Sequence, residues 1–139
     1  MSDLASLIAR LEAAEGPSRE LDAEIAALCV IGPSQDVWAE PDSPGMVRVL
    51  GCGSISSQSV RARRYTASLD SALSLVPEGV WTTIDHYFMS DERPDIWRVW
   101  LKRPIGFDGK RPKIIEYFSK APTPALALTA AALKARAQG

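Results

Sequence analysis

The sequence predicts an α+β protein, with about four helices around a three- to four-stranded antiparallel sheet, layered helix, sheet, helix. Three observations predict it. Apolar residues recur at three- and four-residue steps near both ends of the chain and once in its middle. Three runs rich in β-branched and aromatic residues follow one another after residue 80. Those runs carry apolar residues on both faces, which calls for cover on both. A chain of 139 residues, 46% hydrophobic and 24% charged, has the length and mixture for one domain over residues 1–139 with a single core.

The first helix is capped by Ser2 and buries the stripe Leu4, Leu7, Ile8 and Leu11 before Gly16 and Pro17 stop it. The second starts at Ser18, carries Glu20 and Asp22 in the turn where the helix dipole favours acids, and turns Leu21, Ile25 and Leu28 inward. Gly32 and Pro33 end it. Residues 33–64 then read as an irregular arm with at most one or two edge strands, of which "MVRVLG" is the best. A third helix lies in "YTASLDSALSLVPEG", with Ser68 as cap, Leu69, Ala72, Leu73 and Val76 on one face, and Pro77 and Gly79 as the stop.

The strand runs are "VWTTIDHYFM", "IWRVWLK" and "KIIEYFS". "DERPD" joins the first two and "FDGK" the last two, its Asp-Gly pair suiting a type I′ hairpin. With Asp108 and Gly109 at the turn centre, Trp97, Val99 and Leu101 share a face with Ile114 and Phe118, while Ile96 and Trp100 share the other with Ile115 and Tyr117. Pro104 and Pro112 are expected to interrupt regular pairing near the tip. The last helix has Thr123 as cap, Pro124 at its first position, an alanine-rich body, and Lys134 and Arg136 at its negative end.

Several function classes fall away on the sequence. No run reaches the roughly eighteen apolar residues needed to span a bilayer, and no signal-peptide core precedes the first helix, so the expectation is a cytoplasmic protein without a membrane partner. Gly51 and Gly53 begin a dinucleotide-type pattern, but Ser56 occupies the third glycine position and "SSQSVRARR" lacks the apolar stripe of a phosphate-binding helix. They read as a turn at a strand end. His86 is the only histidine, and Cys29 and Cys52 are the only cysteines, too few for a structural zinc site or a disulfide framework. A Cys-His pair would need one cysteine to meet His86 in space. Asp91, Glu92 and Asp95 read as a solvated acidic turn. No catalytic residue, cofactor or metal ligand is therefore expected; an enzyme with a site near His86 is the least favoured reading.

Charge and aromatics point instead to binding. Nine acids stand against two bases through Gly45, and eight against fourteen from Met46 onward. The bases concentrate in "RARR", with Arg61, Arg63 and Arg64, and in "KRPIGFDGKRPK", with Lys102, Arg103, Lys110, Arg111 and Lys113 around Phe107. Such a basic hairpin can track a phosphate backbone, although lysines and prolines also protect an edge hairpin from aggregation. Trp38, Trp97, Trp100 and Phe107 are the candidates for a protein interface, wherever the helices leave them uncovered.

Three stretches also carry a resemblance: "RELDAEIAALCVIG", "YTASLDSALSLVPEG" and "TPALALTAAALKARA". In this order they resemble the phage ABA sandwich domain family, small uncharacterised proteins of phages and prophages. The resemblance covers the helices, about half the chain, and implies helices on both faces of a β-sheet. It supplies no catalytic residue. The implied setting is that of a phage or prophage accessory protein that binds a host or phage protein, in host takeover or anti-defence; a nucleic-acid-binding module is the alternative.

Overall fold

The computed structural model describes residues 4–30, 36–50, 57–89 and 93–138. Its helices are α1 (Leu4–Ala13), α2 (Arg19–Ile25), which continues into a π-helical turn at Ala26–Val30, α3 (Leu69–Leu73) and α4 (Pro124–Gln138). Its strands are β1 (Asp36–Ala39), β2 (Met46–Leu50), β3 (Ser57–Arg61), β4 (Trp81–Met89), β5 (Arg93–Asp108) and β6 (Arg111–Ala121). The class is α+β. The strands form two antiparallel three-stranded sheets, β1-β2-β3 and β4-β5-β6, where the sequence suggests a single sheet of three or four.

The core is built on α4. Thr123 caps it by accepting the Leu126 N–H at 3.2 Å, and Pro124 opens its first turn, as the sequence predicts. From Ala125 to Leu133 every side chain is buried, so this helix is apolar all round and enclosed all round. It packs against β5 and β6 on one side and against α1 and α3 on others. Leu7 and Leu11 of α1 and Leu75 after α3 meet Leu126, Leu128 and Leu133 in one cluster. Each such leucine contributes about 1.5–3 kcal/mol by leaving water. Lys134 joins α4 to α1 through Glu12 at 2.9 Å and to β6 through the Phe118 carbonyl at 2.7 Å.

Ser18 and Ser68 cap α2 and α3 as expected, accepting from Leu21 N and Ser71 N. Helix α3 is only five residues long, so the stripe drawn through Leu73 does not hold: the chain turns after Leu73, which is 43% exposed, and Leu75 enters the core in its place. Ser2, Gly32, Pro33, Gly51, Cys52, Gly53, Ser56, Asp91 and Glu92 lie outside the described residues. Asp95 belongs to β5 and not to a turn.

The predicted irregular arm is largely a sheet. β1 pairs with β2 through Val37↔Val49 and Trp38↔Arg48, and β2 with β3 through Val47↔Val60. β3 reads "SQSVR", whose polar residues leave no alternation for the sequence to reveal. A buried polar cluster fastens this sheet to α2. The Asp22 carboxylate accepts from the Thr66 N–H and hydroxyl, both at 2.8 Å, and from Arg19 at 2.8 Å. The Thr66 hydroxyl in turn accepts from Ser18 N–H at 2.9 Å. Arg19 goes on to the Ala62 carbonyl at 2.7 Å and the Arg63 carbonyl at 3.3 Å. Gly45, at φ +83°, lies beneath this guanidinium; a Cβ there would fall 2.5 Å from Arg19 Nε.

The β4-β5-β6 meander forms as predicted, but its faces are exchanged relative to the sequence expectation. Asp108 pairs with Arg111, so the two-residue turn is Gly109–Lys110, with Gly109 at φ +66°. That alone keeps the expected parity. A bulge between Pro104 and Gly106 then shifts the register by one, so that Leu101 pairs with Tyr117 and Trp100 with Phe118. A one-residue shift moves every side chain to the other face. The inner face, toward α4, holds Ile84, Trp97, Val99, Leu101, Tyr117, Ser119 and Ala121. Pairing also continues past both prolines, with Pro104↔Ile114 and Phe107↔Pro112. Pro112 lies on the edge strand β6, and β5 has lost its β4 neighbour beyond Lys102, so neither proline removes a bond from a central strand.

Two expectations follow for stability, both read by urea unfolding. Asp22→Ala leaves the Thr66 N–H and the Arg19 guanidinium without their buried acceptor and is expected to cost about 3 kcal/mol, with Asp22→Asn intermediate. Gly45→Ala is expected to cost about 1–3 kcal/mol, because it strains a positive φ and displaces Arg19.

Candidate macromolecular interface

Beyond the Trp81↔Lys102 pair, β5 and β6 run on alone as a two-stranded ribbon over residues 103–115. Six residues of β5 extend it by about 17 Å. Cross-strand partners share a face, so the ribbon has two chemically distinct sides. On the continuation of the inner face lie the pairs Arg103↔Ile115, Gly106↔Lys113 and Asp108↔Arg111. On the other lie Pro104↔Ile114 and Phe107↔Pro112. Phe107 is 76% exposed, and Ile105, at the bulge, is exposed with it.

The apolar side of the ribbon continues onto the outer face of the sheet. Three rows cross that face: Trp81, Lys102 and Glu116; Thr83, Trp100 and Phe118; Asp85, Arg98 and Lys120. Trp81 is 62% exposed and Phe118 40%, while Trp100 is half-buried. The Trp100 and Phe118 rings lie 5.2 Å apart, and the Arg98 guanidinium sits 5.2 Å from the Trp100 ring while bonding Asp85 at 2.6 Å. Among the described residues, helices α1 and α4 contact β5 and β6, and the side chains buried by them are those of the inner face. Aromatic residues thus stand in water between rows of charge.

The candidates from sequence distribute as follows. Trp100 and Phe107 share the outer apolar side; Trp97 lies on the inner face, half-buried against the core and stacked on His86 at 4.2 Å. Trp38 is exposed on the other sheet, beside a shallow hollow of about 410 Å³ lined by Glu40, Pro41, Asp42, Ser43 and Arg48. Arg48 bonds Glu40 there, so the hollow's central charges offset one another. Lys110, Arg111 and Lys113 are exposed at the ribbon tip. Arg103 lies 5.9 Å from the Tyr117 ring, and Lys102 faces Glu116 at 3.7 Å on the outer side. Arg61, Arg63 and Arg64 are exposed at the end of the first sheet, away from β5 and β6 in the topology. The sequence pattern sets Phe118 on the face of Trp97 and Leu101; its place beside Trp100 follows only with the bulge in hand, and Trp81, a strand tryptophan in the sequence, is the most exposed aromatic in the three outer-face rows.

Cys29 is a free thiol in the π-helical turn, and burial raises its pKa, the reverse of an activated nucleophile, outweighing the lowering pull of Arg136. Arg136 instead closes this end of the core, donating to the Leu75 carbonyl at 2.7 Å and the Cys29 carbonyl at 3.2 Å. Burial likewise raises the Tyr65 phenol, against the lowering pull of Arg63 and Arg136. Among the described residues no three His, Cys, Asp or Glu side chains gather as metal ligands, and no helix is long and apolar enough to cross a membrane. The chain matches no family model, no curated protein and no solved structure.

Both raised groups hold their protons longer in the folded chain than in the unfolded one. Their contribution is complete below the ordinary thiol and phenol values of 9.0 and 10.0 and is lost as pH rises through the folded values. The melting temperature is therefore expected to stay level to about pH 8.5 and to fall above it, with Cys29→Ala removing the earlier part of the fall. Calorimetry across that range checks this.

Proposed function

We propose that this is a non-enzymatic accessory protein that acts by docking a partner protein on the outer face of the β4-β6 sheet. The observation that carries the reading is the row Thr83, Trp100 and Phe118, with Trp81 beside it, exposed or half-exposed between two rows of charged side chains. An apolar centre rich in tryptophan with a charged rim is the anatomy of a protein interface, and such aromatics carry most of the binding energy. The Arg98–Asp85 pair supports it by holding a guanidinium beside the Trp100 ring before any partner arrives. The resemblance to phage ABA sandwich proteins supplies the setting: a phage or prophage product working in the cytoplasm of its bacterial host on a host or phage protein.

The test uses three baits in nuclease-treated extract of phage-infected host cells: the wild type, a Trp81→Ser/Phe118→Ser double variant, and Trp38→Ser as a control on the other sheet. One stoichiometric protein is expected on the wild type and on Trp38→Ser, with affinity for the double variant reduced more than about tenfold. Equal retention by all three baits would exclude this face as the docking site.

A further inference from the structure

The ribbon carries more than the docking face requires. Its apolar side, Pro104, Ile114, Phe107 and Pro112, continues the outer face, but its other side holds Arg103, Lys113 and Arg111 in register, with Lys110 at the turn. Over residues 102–115 there are five bases and one acid, Asp108, which lies opposite Arg111. Lys113 faces Gly106, where an added Cβ would meet nothing within 4 Å. The middle of the basic side is therefore flat and open to a close approach of another backbone. Alternate residues of a strand lie about 6.6 Å apart, so Arg111 and Lys113 project a row of charge along the ribbon's length.

We propose that this basic side binds the phosphate backbone of duplex DNA. Charge complementarity selects a polyanion: neutralising phosphates releases condensed counterions, and a row of cations gains most from a regular row of phosphates. The division of the ribbon selects the duplex. Single strands are held by aromatic stacking platforms, and here the one tip aromatic, Phe107, is on the opposite side from the bases. A two-stranded ribbon fits the roughly 12 Å major groove of B-form DNA, whereas A-form RNA has a deep groove too narrow for it. The contact proposed is to phosphates, made by cations flanking open backbone at Gly106. It is independent of the docking face, since Trp81 and Phe118 are not part of it.

Fluorescence anisotropy on a labelled duplex of about two helical turns tests this with the full chain. Binding is expected to weaken steeply with salt, with a slope of about −3.6 in log affinity against log salt for four phosphate contacts. Arg111→Glu/Lys113→Glu should lower affinity more than about tenfold and flatten the slope by roughly half. Phe107→Ser and Trp81→Ser should leave DNA binding unchanged. All four positions are exposed, and circular dichroism confirms that each variant is folded. Failure to bind duplex at low salt, tighter binding to single-stranded DNA or duplex RNA, or unaltered binding in the charge-reversed variant would each overturn the proposal. So would loss of a captured protein, and not of DNA, on charge reversal, which would assign the basic side to an acidic protein.

Discussion

The constraint on which the structure depends is the enclosure of α4. A helix apolar on every side has no face to give to water, so it must be surrounded, and the chain surrounds it with α1, α3 and the inner face of β5 and β6. Its alanines let these neighbours come close, while Leu126, Leu128 and Leu133 fill the spaces between them. Three of its polar side chains are engaged with backbone: Thr129 donates to the Tyr65 carbonyl at 2.9 Å, Lys134 to that of Phe118 and Arg136 to that of Leu75. The same arrangement accounts for the open outer face of the sheet. Helices enclosing α4 are occupied with α4, and those described do not pass to the other side of β4-β6.

The second sheet is held by a different device. β1 to β3 offer few large apolar residues to the core; Val47 is the one wholly buried. What fixes them to α2 is directional, through the Arg19 guanidinium on the Ala62 and Arg63 carbonyls and through Asp22 on Thr66. A buried carboxylate is tolerated here because each of its oxygens has donors, Thr66 on one and Arg19 on the other. Hydrogen bonds of this kind specify orientation more than they add stability, which suits a sheet whose strands are short and half polar.

Legibility in the sequence follows this division between local and non-local causes. Ser18, Ser68 and Thr123 were readable as caps because capping acts over three residues. The meander is legible because β-branched and aromatic runs are local signals, although its turn is Gly109–Lys110 and not the expected Asp108–Gly109. The arm is legible only at β2, where "MVRVL" carries its own strand signal; "SQSVR" becomes a strand only when β2 supplies its partner and Arg19 its anchor. The candidate interface was half legible. Its tryptophans and bases stood out by composition, but which of them share a side depends on one extra residue at Ile105, and a bulge leaves no periodic trace. Leu73 departs from the stripe for a different reason: it is the last residue of a five-residue helix, and the turn that follows carries Leu75 into the core while Leu73 stays exposed.

That single bulge also decides what the surface can do. With the expected register, Phe118 would turn into the core with Leu101, and Tyr117 outward with Trp100. With the observed one, Tyr117 is buried, Phe118 joins Trp100 on the outside, and the bases Arg103, Lys113 and Arg111 fall together on the opposite side of the ribbon from Phe107. Apolar and cationic groups of the ribbon are thereby sorted by face, with Ile115, opposite Arg103, the exception. An apolar docking row is weakened by a charge that must be desolvated within it, and a phosphate contact gains little from a neighbouring phenylalanine. Register, and not composition, makes two surfaces out of one hairpin.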